Sequence, residues 1–178
     1  MKRLLILLFA FIAHNPCVAQ SSIYSFKIAS VTGGRQIDFS NFQGRKMLIV
    51  TTATADSNAT QFAELEQLFQ LYKDSVTIIA ISTNSFNTEP RSNAEIASYC
   101  SSNFHISFPI SAKVEVAGPN ADSLCKWLSE KLLNGVTNSV MNAAFQKFII
   151  NKQGKLVGVF SRRTKPTNQW LKRAIEIQ

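Results

Sequence analysis

KMLIVTT (Lys46–Thr52), TQFAELEQLFQLYK (Thr60–Lys73) and VTIIAIS (Val76–Ser82) decide the architecture of this chain. The two flanking strings are short, continuous and rich in β-branched residues, the pattern of strands buried on both faces in the middle of a sheet. The string between them sets Phe62, Leu65, Leu68, Phe69 and Tyr72 at helical spacing. Strand, helix, strand in that order predicts a right-handed crossover joining two parallel strands.

Asn93–Ser101 reads as a second helix with Ile96, Tyr99 and Cys100 on one face. Ala121–Leu133 reads as a third, with Leu124, Cys125, Leu128 and Leu132 directed inward. Two further strands, Phe145–Asn151 and Lys155–Phe160, flank Lys152-Gln153-Gly154, a short glycine-containing turn that makes a hairpin. A last helix follows Pro166. A parallel unit followed by an antiparallel hairpin and a closing helix predicts an α/β, thioredoxin-like fold with a central mixed β-sheet flanked by helices. Repeats, linkers and low-complexity tracts are not seen.

Lys2 and Arg3 precede an apolar run, Leu4–Ala13, and then small residues ending at Ala19. That is the three-part pattern of a secretory signal peptide, so residues 1–19 are expected to be removed and residues 20–178 to form one domain. The apolar run is too short to span a bilayer, which takes ~20 residues in a helix. The expected location is therefore the periplasm or the cell exterior, with no membrane span after cleavage. Without Lys2 and Arg3, 17 basic residues face 11 acidic ones, a net charge of +6. The basic residues are scattered, with Arg162-Arg163 and Lys172-Arg173 the longest clusters, and no aromatics are interleaved with them, which argues against nucleic acid.

Cys100 and Cys125 remain after cleavage in a compartment that oxidises thiols, and are either buried and inert or paired. Neither lies in a Cys-x-x-Cys arrangement, so the disulfide-exchange signature is absent. His105 is the one histidine outside the leader, which argues against a histidine-built metal site or a Ser-His triad. No metal and no cofactor are expected.

Strings in register along nearly the whole chain resemble the glutathione peroxidase family: SIYSFKIASVTG (Ser22–Gly33) is similar to its opening strand pair, NFQGRKMLIVTTA (Asn41–Ala53) to its first buried strand, and QFAELEQLFQLYKD (Gln61–Asp74) to its first helix. EPRSNAEIASYC (Glu89–Cys100), FPISAKVEVAGPNADSLCKWL (Phe108–Leu128), FQKFIINKQGKLVGVF (Phe145–Phe160) and TKP (Thr164–Pro166) continue the likeness. The resemblance implies a peroxidatic cysteine or selenocysteine between a strand and the next helix, where free N–H groups and the helix dipole stabilise a thiolate. Glutamine, tryptophan and asparagine side chains would donate hydrogen bonds to the sulfur and the peroxide.

Anchored on Ile49-Val50 and Gln61-Phe62, the family cysteine falls on Asp56; the glutamine falls on Ser85 in NSFNTEP; the tryptophan and asparagine fall on Ala143 and Ala144 in AAFQKF. A carboxylate cannot be oxidised by a peroxide and recycled, so charge is kept at position 56 and reactivity is lost. Asp56, Ser57 or Asn58 is expected to cap the helix starting near Thr60. The alternative is that Asp56 serves as an anionic anchor, an exposed and unpaired carboxylate holding a small polar or cationic ligand. Cys100 aligns with or beside a cysteine that resolves the peroxidatic sulfenic acid in some members, and with Cys125 it is read as an inert core thiol. Trp127 and Trp170 are read as packing residues and His105 as a surface or satisfied histidine. These readings lead to an exported, monomeric, non-catalytic or binding homologue with an unidentified ligand or protein partner. The alternative is a thiol-dependent peroxidase of the oxidative stress response that uses Cys100.

Overall fold

The computed structural model describes residues 21–177, and the expected leader, residues 1–19, lies outside them. Every residue of Lys46–Thr52 (β3) and Val76–Ser82 (β4) is buried, as their unbroken apolar runs require. They pair in parallel from Lys46↔Val76 to Thr52↔Ser82. The helix between them, Gln61–Tyr72 (α1), buries Phe62, Leu65 and Leu68. Lys147–Ile150 (β5) runs antiparallel to β3, and Leu156–Phe160 (β6) antiparallel to β5, giving the order β4-β3-β5-β6.

Lys27–Ala29 (β1) and Gln36–Asp38 (β2) form an antiparallel ribbon. The ribbon reaches the main sheet through residues 109–112. The amides of Ala80 and Ser111 join that segment to β4, while Val31 N donates to Ile110 O and Ala112 N to Ala29 O. Alternate strand residues then feed two cores. Leu48, Val50, Ile78 and Ala80 pack under α1, Asn93–Phe104 (α2) and Gln169–Glu176 (α5). Met47, Ile49, Ile79 and Ile81 pack under Ser123–Ser129 (α3) and the N-terminal segment. Each of the Val, Leu, Ile and Met side chains contributes about 1.5–3 kcal/mol of burial, and the whole is the expected thioredoxin-like α/β arrangement.

Several expectations are corrected. The opening strand pair resembling Ser22–Gly33 starts with a 3-10 turn, Ile23–Ser25, and its second strand, β2, lies just beyond that string. The helix expected over Ala121–Leu133 is two: α3, and Lys131–Asn134 (α4), separated by an extended Glu130 (φ −111°, ψ 118°). The buried Asn134 amide donates to the carbonyls of Trp127 and Thr137 and accepts from the amides of Val136 and Thr137, organising a turn that competes with a continuous helix. Leu132, expected inward, is consequently 75% exposed. α2 runs past Ser101 to Phe104. A Ser92–Glu95 capping box starts it and His105 (φ 52°), an exposed residue, ends it.

Trp127 is buried as expected, but Trp170 is 60% exposed and lies under the Arg173 guanidinium, not in the core. β5 begins only at Lys147 because Phe145 sits at φ 66° and redirects the chain before the ladder. Gly154 (φ 77°) makes the following turn, where a Cβ would stand 2.6 Å from the Tyr24 ring. Tyr24 donates its hydroxyl to Lys152 O (3.0 Å), and the Trp127 indole donates to Ser21 O (2.7 Å), so the N-terminal segment is fastened to the hairpin turn and to α3.

Candidate functional site

The strand directions bring four connections to one end of the sheet. Residues 53–60 leave the end of β3 and residues 83–92 the end of β4; residues 142–146 enter β5 and residues 161–168 leave β6. The first two are tied together by the buried Glu89. Its carboxylate accepts from Thr54 N (2.5 Å), Thr54 Oγ1 (2.6 Å) and Arg91 N (3.3 Å), while Arg91 Nη1 donates to Thr54 Oγ1 (2.8 Å). The third is tied to β3 by Thr51, whose hydroxyl donates to Ala143 O (3.3 Å) and accepts from Gln146 N (3.1 Å).

Asp56 stands in the corner between β3 and α1, only 7% exposed. Its Oδ1 accepts from Asn58 N (2.8 Å), Asn58 Nδ2 (2.9 Å) and Arg162 Nη2 (3.0 Å), and the same arginine nitrogen is 3.3 Å from Oδ2 and 3.2 Å from Ser57 Oγ. The helix-capping expectation is corrected in detail. Asp56 caps the turn that precedes α1, whereas Thr60, at the helix boundary, has no side-chain cap. Backbone bonds from Ala59 N to Asp56 O, Gln61 N to Asn58 O and Phe62 N to Ala59 O carry the chain into the helix instead. The exposed, unpaired carboxylate of the anionic-anchor alternative is not present, because Arg162 neutralises it.

Ser85 commits its hydroxyl to the 115–116 segment, donating to Glu115 Oε2 (2.8 Å) and accepting from Val116 N (3.0 Å). Ala143 and Ala144 are buried, and their methyl side chains supply no donor. No hydrogen bond among the described residues joins Asp56 to Ser85 or to the 143–144 pair. A cleft of about 490 Å³ opens nearby, lined by Asn142, Gln146, Arg162 and Arg163 among others.

Gln61 and Lys147, neither of them a candidate site residue from the sequence, complete the corner. Lys147 is fully buried, and its Nζ donates to Gln61 Oε1 (2.7 Å) and Phe145 O (2.8 Å). Burial lowers its pKa to about 8. Gln61 Nε2 in turn donates to Arg162 O (2.9 Å) and Asn58 Oδ1 (3.3 Å), so one side chain links β5, α1 and the segment after β6. A lysine flanked by Phe145, Phe148 and Ile149 was the available signal for the buried amine. Nothing local marks Arg162 as the partner of Asp56, which lies 106 residues away.

Cys100 and Cys125 are free and buried, and they sit in the two cores on opposite faces of the sheet, which excludes the pairing left open above. Burial pushes the Cys100 thiol up to about 12, with the Glu89 carboxylate adding to the shift. Cys125 is raised as well, chiefly by burial. Among the described residues no group of three or more His, Cys, Asp or Glu side chains is placed to hold a metal ion, and no helix is long and apolar enough to cross a membrane.

The glutathione peroxidase family model matches residues 23–129 of this chain. The chain belongs to the glutathione peroxidase family. A glutathione peroxidase-like peroxiredoxin of Schizosaccharomyces pombe is 38% identical over 136 residues, covering 75% of this chain and 85% of that protein. A glutathione peroxidase homologue of Bacillus subtilis is 32% identical over 147 residues, covering 82% and 91%. A hydroperoxy fatty acid reductase of Synechocystis is 32% identical over 157 residues, covering 83% and 91%. Among solved structures, T. cruzi GPX1 superposes with a TM-score of 0.64 at 24% identity, covering 85% of this chain and 94% of that one. A thioredoxin-family thiol:disulfide interchange protein of Chlorobium tepidum gives 0.63 at 15% identity, covering 85% and 90%, so the thioredoxin-like fold is common to both. The family match includes positions 56 and 85 and ends before 143 and 144.

Proposed function

We propose that this glutathione peroxidase family member does not reduce peroxides by the family's sulfur chemistry, and acts as an exported, monomeric, non-catalytic homologue through binding. The observation that carries the reading is the Asp56–Arg162 pair. Where the resemblance puts the peroxidatic sulfur, a buried carboxylate is engaged by a guanidinium and by Asn58. That oxygen cannot take an oxygen atom from a peroxide and be returned by a thiol. The donors are missing too: the Ser85 hydroxyl is held by residues 115–116, and positions 143 and 144 carry methyl groups. Export rests on the Lys2–Ala19 pattern. N-terminal sequencing of the secreted or periplasmic product should begin at Gln20, and an intact Met1 would overturn the leader.

The second reading, a peroxidase working through Cys100, is favoured by the names of the relatives, peroxiredoxin and hydroperoxy fatty acid reductase. Against it, a thiol 1% exposed with a pKa near 12 holds almost no thiolate at neutral pH. Hydrogen peroxide and an organic hydroperoxide should be consumed no faster than in protein-free controls, with glutathione or thioredoxin as reductant. Turnover that disappears in Cys100→Ser would establish the second reading.

Asp56→Cys tests the register itself. The new thiol would stand in the turn before α1 and beside the Arg162 guanidinium, and should titrate below the unperturbed ~8.5 and label faster than Cys100 or Cys125. Peroxide turnover should stay poor without Ser85→Gln, Ala143→Trp and Ala144→Asn, since one missing donor costs ~100- to 1000-fold. A cysteine at position 56 that titrates like an ordinary exposed thiol would refute the alignment.

A further inference from the structure

We propose that the cleft between the β1–β2 ribbon and the C-terminal half of α2 is a binding site for a small amphipathic monocarboxylate, with Arg35 receiving the carboxylate. The cleft has a volume of about 590 Å³, within the ~300–1,000 Å³ of ordinary small-molecule sites. It lies where the ribbon and residues 106–110 meet α2, whose Ala97, Cys100 and Ser101 line it. Val31, Phe108, Ile110 and Cys100 make a buried apolar floor, and the half-buried Phe42 and Ile106 line it toward the opening. An apolar body laid there would remove those partly wet surfaces from water.

Charge at the cleft selects the other half of the ligand. The charged residues lining it are Arg35 and Asp38. Asp38 is already committed, with its Oδ2 2.7 Å from Lys27 Nζ and its Oδ1 accepting from Ser40 N and Ser40 Oγ. Ser107 is likewise held, giving its amide and hydroxyl to Glu66. The Arg35 guanidinium makes no ion pair among the described residues. A single free guanidinium matches the bidentate geometry and single charge of a carboxylate, whereas a phosphate dianion would leave a net negative charge beside Asp38. The site shares no residue with the Asp56 corner, so it goes beyond the non-catalytic reading and is tested separately from it.

Decanoate, below its micellar concentration, is the probe. Added to the 15N-labelled mature protein, it should give saturable amide shifts confined to residues 30–42 and 97–110. Decanol should bind at least ~10-fold more weakly, and Arg35→Ala should weaken decanoate binding to a similar degree, the loss expected for one charge-assisted pair. Arg35→Lys should restore part of the affinity. Arg35 is exposed and gives only its backbone carbonyl to the ribbon, to Ser30 N, so the variant should fold as the wild type does. Ala97→Trp, at a half-buried position of α2, should block the cleft. Non-saturable shifts, shifts centred on residues 140–163, or equal affinity for decanol and decanoate would each overturn the proposal.

Discussion

Asp56 and Lys147 are buried at the same end of the sheet, one carrying a carboxylate and the other an amine, and the fold accommodates them by different means. Asp56 receives an ion partner from outside the core: Arg162 reaches in while its own side chain stays 37% exposed. Lys147 receives only neutral oxygens, those of Gln61 and Phe145. The carboxylate is met by a guanidinium, whereas the amine has its pKa depressed to about 8, chiefly by burial and against the opposing effect of the Glu64 carboxylate. A buried charge near an opening can recruit a long, partly hydrated side chain, but one at the start of a central strand has only what the backbone and a neighbouring helix offer.

The largest effect that could break this contrast is on the pH dependence of stability. An unfolded lysine titrates near 10.4. Between about 8 and that value the folded state has released the Lys147 proton while the unfolded state retains it, so stability should rise with pH through this window. Below about 8 both states are protonated and Lys147 adds no slope. Urea unfolding of wild type and Lys147→Met should diverge by up to ~3 kcal/mol over the full window, with the slope absent from the variant. Parallel curves would mean that the amine is not isolated.

Next in size, Arg162→Ala leaves the Asp56 carboxylate buried with Asn58 as its remaining side-chain partner. Removing one partner of a buried pair costs ~3–5 kcal/mol, and the exposure of the guanidinium reduces the expectation here to ~2 kcal/mol in chemical denaturation. The double variant with Asp56→Ala should recover ~1 kcal/mol of that, the signature of direct coupling. Additive losses would show the pair to be incidental.

Gln61→Glu would give Lys147 a directly bonded counter-charge, which Glu64, acting on it without an ion pair, does not supply. The Lys147 pKa should rise and the alkaline slope should flatten, at a cost of ~1 kcal/mol for the bond from Gln61 Nε2 to Arg162 O. Trp170→Ala should be smallest, within ~0.5 kcal/mol, because that ring lies at the surface.

What the sequence disclosed follows the same division. β3, α1 and β4 were legible because period and composition are set by burial on both faces of a sheet, and the hairpin because Gly154 punctuates it. The break at Glu130 was not, since the interrupting Asn134 lies past it and no proline or glycine marks it. Leu132 and Trp170 were misplaced for a related reason: helical spacing names a face but not whether anything covers it. At the corner, the substituted positions could be read from neighbouring strings. The ion partner of Asp56 could not, because Arg162 arrives from the far end of the chain through the pairing of β5 with β6.

The clasp between the N-terminal segment and the hairpin turn has a consequence in time. Tyr24 finds its acceptor in Lys152, 128 residues further along the chain, and the Ser21 carbonyl waits for the Trp127 indole. During synthesis the Tyr24 hydroxyl thus has no acceptor until the turn after β5 has been made, although the same segment already meets Phe39–Phe42 close by in the chain. Closing so long a loop is entropically expensive and slow compared with the local α1 crossover. The clasp is therefore among the last contacts to form on folding, and Gly154, which alone lets the Tyr24 ring approach the turn, governs how firmly that final step is locked.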